Sequence, residues 1–203
     1  MTLDESLNCA YEKLSIRQED RLLFSNYLSI MHLKDRATAE HMKRVGLKTA
    51  EVFNFFGLGE KAGLYVGILH DIGKIAIDPE ILTKKGEFTK EDRDKIKEHV
   101  MAGYKMLAGR NDFTADVIVR HHLFSADPYP ANVPEFRKEY SSETKETINK
   151  MARVLALVDF YDALTTRNNE AYAGNKKEVL LKHNAAVADL IERLCEEKIF
   201  DVF

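Results

Sequence analysis

Apolar residues recur along most of this chain at steps of three and four, the spacing of one helix face. Between residues 3 and 31 the pattern predicts two helices, with Leu22, Leu23, Tyr27, Leu28 and Ile30 lining one side of the second. A stronger stripe runs over 35–56 through Val45, Leu47, Ala50, Val52 and Phe55 or Phe56. Gly57 then suits the left-handed position just past a helix end. Residues 59–72 are largely apolar and predict a helix followed by Gly73. Asp78-Pro79 reads as a cap with proline in the first helical position. Thr89 caps a helix drawn through Leu107, with Gly109 beyond it, and residues 113–122, 145–166 and 175–199 complete the set. No stretch alternates as a strand and no repeat is present, so the expected fold class is all-α. The one long irregular region is 123–142, which holds Pro128, Pro130 and Pro134. A connection of that length is more often functional or mobile than idle. The mixed-sign run 84–98 reads as a solvated helix face.

Composition adds exclusions. The chain has 203 residues, 45% of them apolar, and a formal net charge of -3. Ten glycines and four prolines exclude a collagenous or low-complexity chain. The apolar content with low net charge argues against overall disorder. Without a broad basic surface, duplex nucleic acid is not expected as a partner. Cys9 and Cys195 stand far apart with no CxxC spacing, which fits reduced thiols in a cytoplasmic protein. The first residues, Met1-Thr2-Leu3-Asp4-Glu5, lack the apolar segment of a signal peptide. No run approaches the roughly 20 apolar residues that span a bilayer, so no membrane association is expected.

The chemistry lies where polar residues interrupt apolar helices. His70-Asp71 closes the apolar run 64–69, Asp159 sits inside the run 154–160, and His121-His122 follows Val117-Ile118-Val119. His41 and His99 lie on amphipathic helices. A carboxylate in apolar surroundings is costly unless it is paired or bound to a metal. Five imidazoles and two carboxylates suit Fe or Mn best, with Zn, Ni or Co able to take the same donors. The absence of thiolates excludes a cysteine-type structural zinc site. Seven ligands exceed the needs of one open catalytic ion. Two divalent ions ~3.5–4 Å apart, sharing a carboxylate, would use them all and deprotonate a bridging water near neutral pH. Adjacent helical residues point ~100° apart, so the doublets can reach different ions. One histidine on a helix is usually an ordinary surface or core residue; the set is what carries the argument. His32 and His183 fall outside it.

The order of these residues resembles the HD superfamily of metal-dependent phosphohydrolases, and within it the HD-GYP group. The likeness runs over residues 35–170. It begins with His41-Met42-Lys43-Arg44-Val45 and continues through the signature Leu69-His70-Asp71-Ile72-Gly73-Lys74-Ile75 and the stretch from Ile81 to Thr89. His99-Val100-Met101-Ala102-Gly103, the His121-His122 doublet and Asp159-Phe160-Tyr161-Asp162-Ala163-Leu164-Thr165 follow in the family's order. Outside residues 35–170, 1–34 reads as an N-terminal helical extension packed on the core and 171–203 as a C-terminal helix. The resemblance implies an all-helical bundle around a binuclear metal site. It implies one ion on His41, His70, Asp71 and Asp159, and a second on His99, His121 and His122, with Asp71 shared as the catalytic centre. Lys74 would contact a substrate phosphate, as its charge one turn from Asp71 suits. Lys84 and Arg167 are further phosphate-binding candidates. Ala37 stands where some relatives carry a glutamate for a third ion, so two metals are expected.

The chain departs from the group after the doublet. HD-GYP proteins continue with a glutamate and Asp-Gly-x-Gly-Tyr-Pro. Here the residues are Leu123-Phe124-Ser125-Ala126-Asp127-Pro128-Tyr129-Pro130, and the stretch to the next motif is longer. The expected activity is hydrolysis of a phosphate ester of a nucleotide or a cyclic dinucleotide such as cyclic di-GMP. The alternative is a silent sensor or protein-binding module that keeps the metal site. The terminal helices would either pack on the domain or form a homodimer interface.

Overall fold

A computed structural model describes residues 1–166 and 175–201 of the chain. Among these residues the fold is all-helical, with no strand. Helix α1 (Leu3–Lys13) starts at a capping box in which Thr2 and Glu5 bond reciprocally. It leads into α2 (Gln18–Lys34) and then α3 (Arg36–Phe55), where the Asp35 carboxylate accepts from the amides of Ala37 and Thr38. Helix α4 (Glu60–Leu69) packs along α3 more extensively than any other pair. The crossing is backbone to backbone: a Cβ at Gly63 would lie 2.6 Å from the Thr49 carbonyl oxygen, and one at Gly67 2.7 Å from Gly46 Cα. This seam of small residues brings His41 on α3 beside His70 at the end of α4.

The helix expected over 59–72 stops earlier, and Ile72–Ala76 forms a 3-10 turn. Packing explains the change. A Cβ at Gly73 would sit 1.8 Å from the His99 carbonyl oxygen, so the turn lies directly on the next buried helix. Asp78 and Pro79 open a short helix α5 (Pro79–Leu82), with Asp78 accepting from Glu80 N as its type predicts. The helix expected from Thr89 to Leu107 is two: α6 (Lys90–Lys97), which buries nothing, and α7 (His99–Leu107), which buries one face. They part at Glu98, where an all-polar segment gives way to one pulled into the core. Helix α8 (Asp112–Ile118) is followed by a 3-10 turn at His121–Phe124, so the expected helix over 113–122 also ends early. Helix α9 (Ser142–Thr166) is the long central helix. The last expected helix is broken into α10 (Lys176–His183), a 3-10 turn at Ala185–Val187 and α11 (Ala188–Glu196).

One cluster of buried side chains unites these elements. Met42, Phe53, Leu64, Ile68, Ile118, Ile148 and Leu155 form its middle. Phe24, Leu28 and Met31 join it from α2, and Leu180, Ile191, Leu194 and Phe200 join it from the C-terminal segment. On α2 the buried side is therefore Phe24, Leu28 and Met31, while Leu22 and Ile30 are 60% and 47% exposed. Steps of four and three from Phe24 define that stripe; Leu22 and Ile30 fall outside it.

Residues 125–141 are irregular, as their composition suggests, yet they are fastened. Arg120 donates to the Asp116 and Pro134 carbonyl oxygens at 2.7 and 3.0 Å, and its guanidinium lies 4.0 Å over the Phe136 ring. The Asp116 carboxylate accepts from Arg137 N. Among the described residues no helix is long and apolar enough to cross a membrane.

Candidate metal centre

The seven expected ligands converge, although they come from five places in the chain. His41 sits on α3, and His70-Asp71 follows α4. His99 opens α7, His121-His122 lies in the turn after α8, and Asp159 sits on α9. His41, His70 and Asp71 form one group whose ligand atoms lie within 4.8 Å of one another, and His99, His121 and His122 form a second. Asp71 stands between them. Its Oδ1 is 3.2 Å from His99 Nε2, and its Oδ2 is 3.4 Å from His70 Nε2 and 3.7 Å from His41 Nε2. Asp159 Oδ1 faces the first group, 3.0 Å from His41 Nε2 and 3.8 Å from His70 Nε2.

The rings are oriented from behind. His70 Nδ1 lies 2.8 Å from the Gly67 carbonyl oxygen, His99 Nδ1 lies 2.6 Å from that of Ile96, and His121 Nδ1 bonds that of Ile118. Each is the carbonyl three residues earlier, so a helical ending supplies the acceptor. A carbonyl only accepts, so each Nδ1 carries the proton and each Nε2 presents a lone pair. The Nε2 atoms of His41, His70, His99 and His121 are all buried without a hydrogen bond. Four orphaned nitrogens in one interior are costly as they stand, and they become explicable if cations occupy the space between them.

Burial sets the electrostatics of the imidazole-rich half. It pushes His99 down to about 4 and His121 to about 3, and it holds His122 well below the ordinary value. These rings are neutral at pH 7, as ligands must be. His41 behaves oppositely. Burial pulls it down, but Asp159 and Asp162 outweigh burial and raise it to about 9. Burial also pushes Asp71 and Asp159 upward, yet the cations and imidazoles around them hold both carboxyls well below the usual range.

A family model for the HD domain matches residues 38–164, more than half of the chain. The chain belongs to the HD domain family. Its relatives include RpfG of Xanthomonas campestris pv. campestris, a cyclic di-GMP phosphodiesterase response regulator, 27% identical over 81% of this chain and 42% of its own length. A cyclic di-GMP phosphodiesterase of Thermotoga maritima is 28% identical over 66% of this chain and 36% of its own. A 3′3′-cGAMP-specific phosphodiesterase of Vibrio cholerae is 23% identical over 77% and 30%. The chain thus spans less than half the length of these curated relatives.

Within this HD domain, Lys74 places Nζ 2.5 Å from Asp71 Oδ2 and borders two cavities that reach different ligands. The first, of about 520 Å³, lies against His99, His121, His122 and Asp159. The second, of about 830 Å³, reaches His41 and Arg44 and has Lys84 on its wall. Lys84 is not at the ligand cluster; it pairs with Asp92. Arg167 lies outside the described residues. His183, which the sequence pattern left aside, stands on the wall of the first cavity. Only the placement of α10 against α9 brings it there.

Two site residues stand inside the motifs that carry the family resemblance, yet the sequence pattern assigned neither a role. Asp162 bonds His41 Nδ1 at 2.7 Å, and Arg44 clamps Asp162 with two hydrogen bonds of 2.7 and 2.9 Å. Position could have flagged both: Asp162 lies three residues after Asp159, and Arg44 three after His41. Tyr129, the remnant of the altered segment, stacks on His122 with ring centroids 4.3 Å apart.

Proposed function

We propose that this HD domain is a divalent-metal-dependent phosphohydrolase that cleaves a phosphodiester of a nucleotide, with cyclic dinucleotides the leading substrate class. The observation that carries the reading is the set of four buried Nε2 atoms without a hydrogen bond, on His41, His70, His99 and His121, with Asp71 between the two ligand groups and the Lys74 ammonium beside it. His41, His70, Asp71 and Asp159 would hold one ion, and His99, His121 and His122 a second that shares Asp71. Fe or Mn suits this donor set best, and Zn, Ni or Co could take it. Bound ions would acidify water and neutralise charge on the phosphoryl oxygens. The protein's own part is to keep His99, His121 and His122 neutral and Asp71 and Asp159 anionic, and to fix the ligands in direction, while His41 would give up its proton to a bound ion. Lys74 would hold a phosphate oxygen; Lys84 and Arg167 would be further phosphate-binding groups. The names of the relatives support the substrate class. The reading places the protein in the cytoplasm, where such nucleotides occur.

Elemental analysis of the purified protein, paired with a screen of phosphoesters that includes cyclic di-GMP, tests the proposal. Bound transition metal and metal-dependent cleavage are expected. Asp71→Ala should lose most of the metal and all turnover, because both groups contact this carboxylate. Full metal occupancy without cleavage of any ester would overturn the proposal. The replacement of the expected glutamate by Leu123 favours one second reading, a sensor that binds such a ligand without turning it over. Saturable binding with no product would select it.

A further inference from the structure

The two cavities beside the ligand cluster differ in character. The larger carries Arg44, Lys84 and Arg93 with Asp35 and Glu40, so it is a charged surface. The smaller is ringed by Phe124, Tyr129, Phe160 and His183. Of its cations, Lys74 is turned to Asp71 and Lys97 to Asp127. Such a wall offers little to a sugar phosphate and much to a flat aromatic ligand.

Phe160 and His183 form the outer part of this wall. Their ring centroids are 5.3 Å apart at an interplanar angle of 38°. Phe160 follows the ligand Asp159 in sequence, so one side of the pair is fixed to the cluster. His183 ends α10, and the next residue, Asn184, leaves the helical conformation (φ -131°, ψ 36°). Asn184 lines the same cavity, and its Nδ2 donates to the Leu180 carbonyl oxygen, which leaves its Oδ1 as the acceptor of its side chain. His183 and Asn184 both lie beyond the residues that the family model matches.

We infer that this aromatic cavity is the seat of a substrate nucleobase, with Phe160 and His183 as the stacking wall and Asn184 as the group that reads the base edge. The inference rests on the proposed nucleotide phosphoesterase activity, which gives a base its reason to lie beside the ligand cluster. A phosphate at Lys74 would place the attached base on the aromatic side and the rest of the substrate on the charged side. Stacking tolerates any base, whereas an amide discriminates by hydrogen bonding.

The chain contains no tryptophan, so His183→Trp would introduce a single reporter at an exposed position while keeping an aromatic wall. Metal-free protein carrying this substitution is titrated with guanosine monophosphate, adenosine monophosphate and ribose 5-phosphate. Saturable quenching by the nucleotides and none by the sugar phosphate is expected. An equal response to all three, or none to any, overturns the inference. A second measurement keeps the reporter out of the argument: calorimetry on Phe160→Leu should show roughly tenfold weaker nucleotide binding than the native chain, as loss of one stacking face implies. Unchanged affinity in a folded variant also overturns the inference. The two readings fail separately. Quenching without cleavage of any phosphoester sinks the enzyme and leaves the base seat. Metal-dependent cleavage of bis(4-nitrophenyl) phosphate with no preference for nucleotides sinks the base seat and leaves the enzyme.

Discussion

His41 differs from the other ligand histidines in what stands behind it. His70, His99 and His121 lean on backbone carbonyls, but His41 leans on the Asp162 carboxylate, which Arg44 clamps in turn. A carboxylate behind a ligand imidazole fixes its direction and raises its basicity. Asp162→Asn should therefore weaken metal binding roughly 10–100-fold with little change in helicity, as read by metal titration and circular dichroism. Unaltered affinity would show that Asp162 serves only Arg44. The buried neutral imidazoles make a second prediction. In the unfolded chain these groups titrate near 6.5, whereas the folded protein holds His99 at about 4 and His121 at about 3. As pH falls from about 6.5 to about 4, the unfolded chain gains protons that the native one does not. Metal-free protein should then lose about 1.4 kcal/mol of stability per pH unit for each such histidine. His41, raised to about 9, stays protonated in both states across that window and adds no slope there. Its stabilising contribution is lost instead as pH rises from about 6.5 to about 9. A flat melting temperature between pH 6.5 and 4 would contradict burial of neutral rings.

At the scale of elements, the cluster depends on two close approaches of backbone. The seam of Gly46, Gly63 and Gly67 sets α3 on α4, and Gly73 sets the turn after Asp71 on α7. The second approach matters more for chemistry, because it puts Asp71 next to His99. Gly73→Ala would drive a methyl group into the His99 carbonyl oxygen, and neither side can yield without moving a ligand. We expect it to destabilise the protein by about 3 kcal/mol, the upper part of the range for overpacking, and to lower metal content as well. Denaturant unfolding and metal analysis of the variant check this; normal stability with full metal would refute it. The helix ends also show where periodicity stops being informative. Residues 59–72, 89–107 and 113–122 each read as one helix from their apolar spacing. Each is cut or closed by a turn near His70, Glu98 or Val119, next to a ligand. Those breaks serve the convergence of ligands, which no local window contains. Caps were legible because their chemistry is local: Asp78-Pro79, Thr89 and Gly57 stand where their types predict.

The whole molecule is organised so that distant segments close on one buried polar centre, and metal binding should then be coupled to folding. Buried Nε2 atoms without partners burden the metal-free fold, and ions would relieve all of them together. Removing metal with a chelator should lower stability by about 4 kcal/mol when free metal had exceeded its dissociation constant a thousandfold. Calorimetry before and after readdition of Fe or Mn measures it, and a melting temperature indifferent to metal would argue against the centre. The sequence by itself determined the helical class, the caps at Asp78 and Thr89, the type of donor and the order of the ligand residues. It could do so because those properties are written in periodicity, in local hydrogen-bonding chemistry and in motifs read along the chain. Only the tertiary structure decided that Asp71 faces both groups, that Asp162 and Arg44 brace His41, and that Phe24, Leu28 and Met31 form the buried side of α2. It alone brought His183 from the far end of the chain to the cavity wall. These are relations between side chains up to 121 positions apart, such as His41 and Asp162. Distances of that kind exist only once the helices pack.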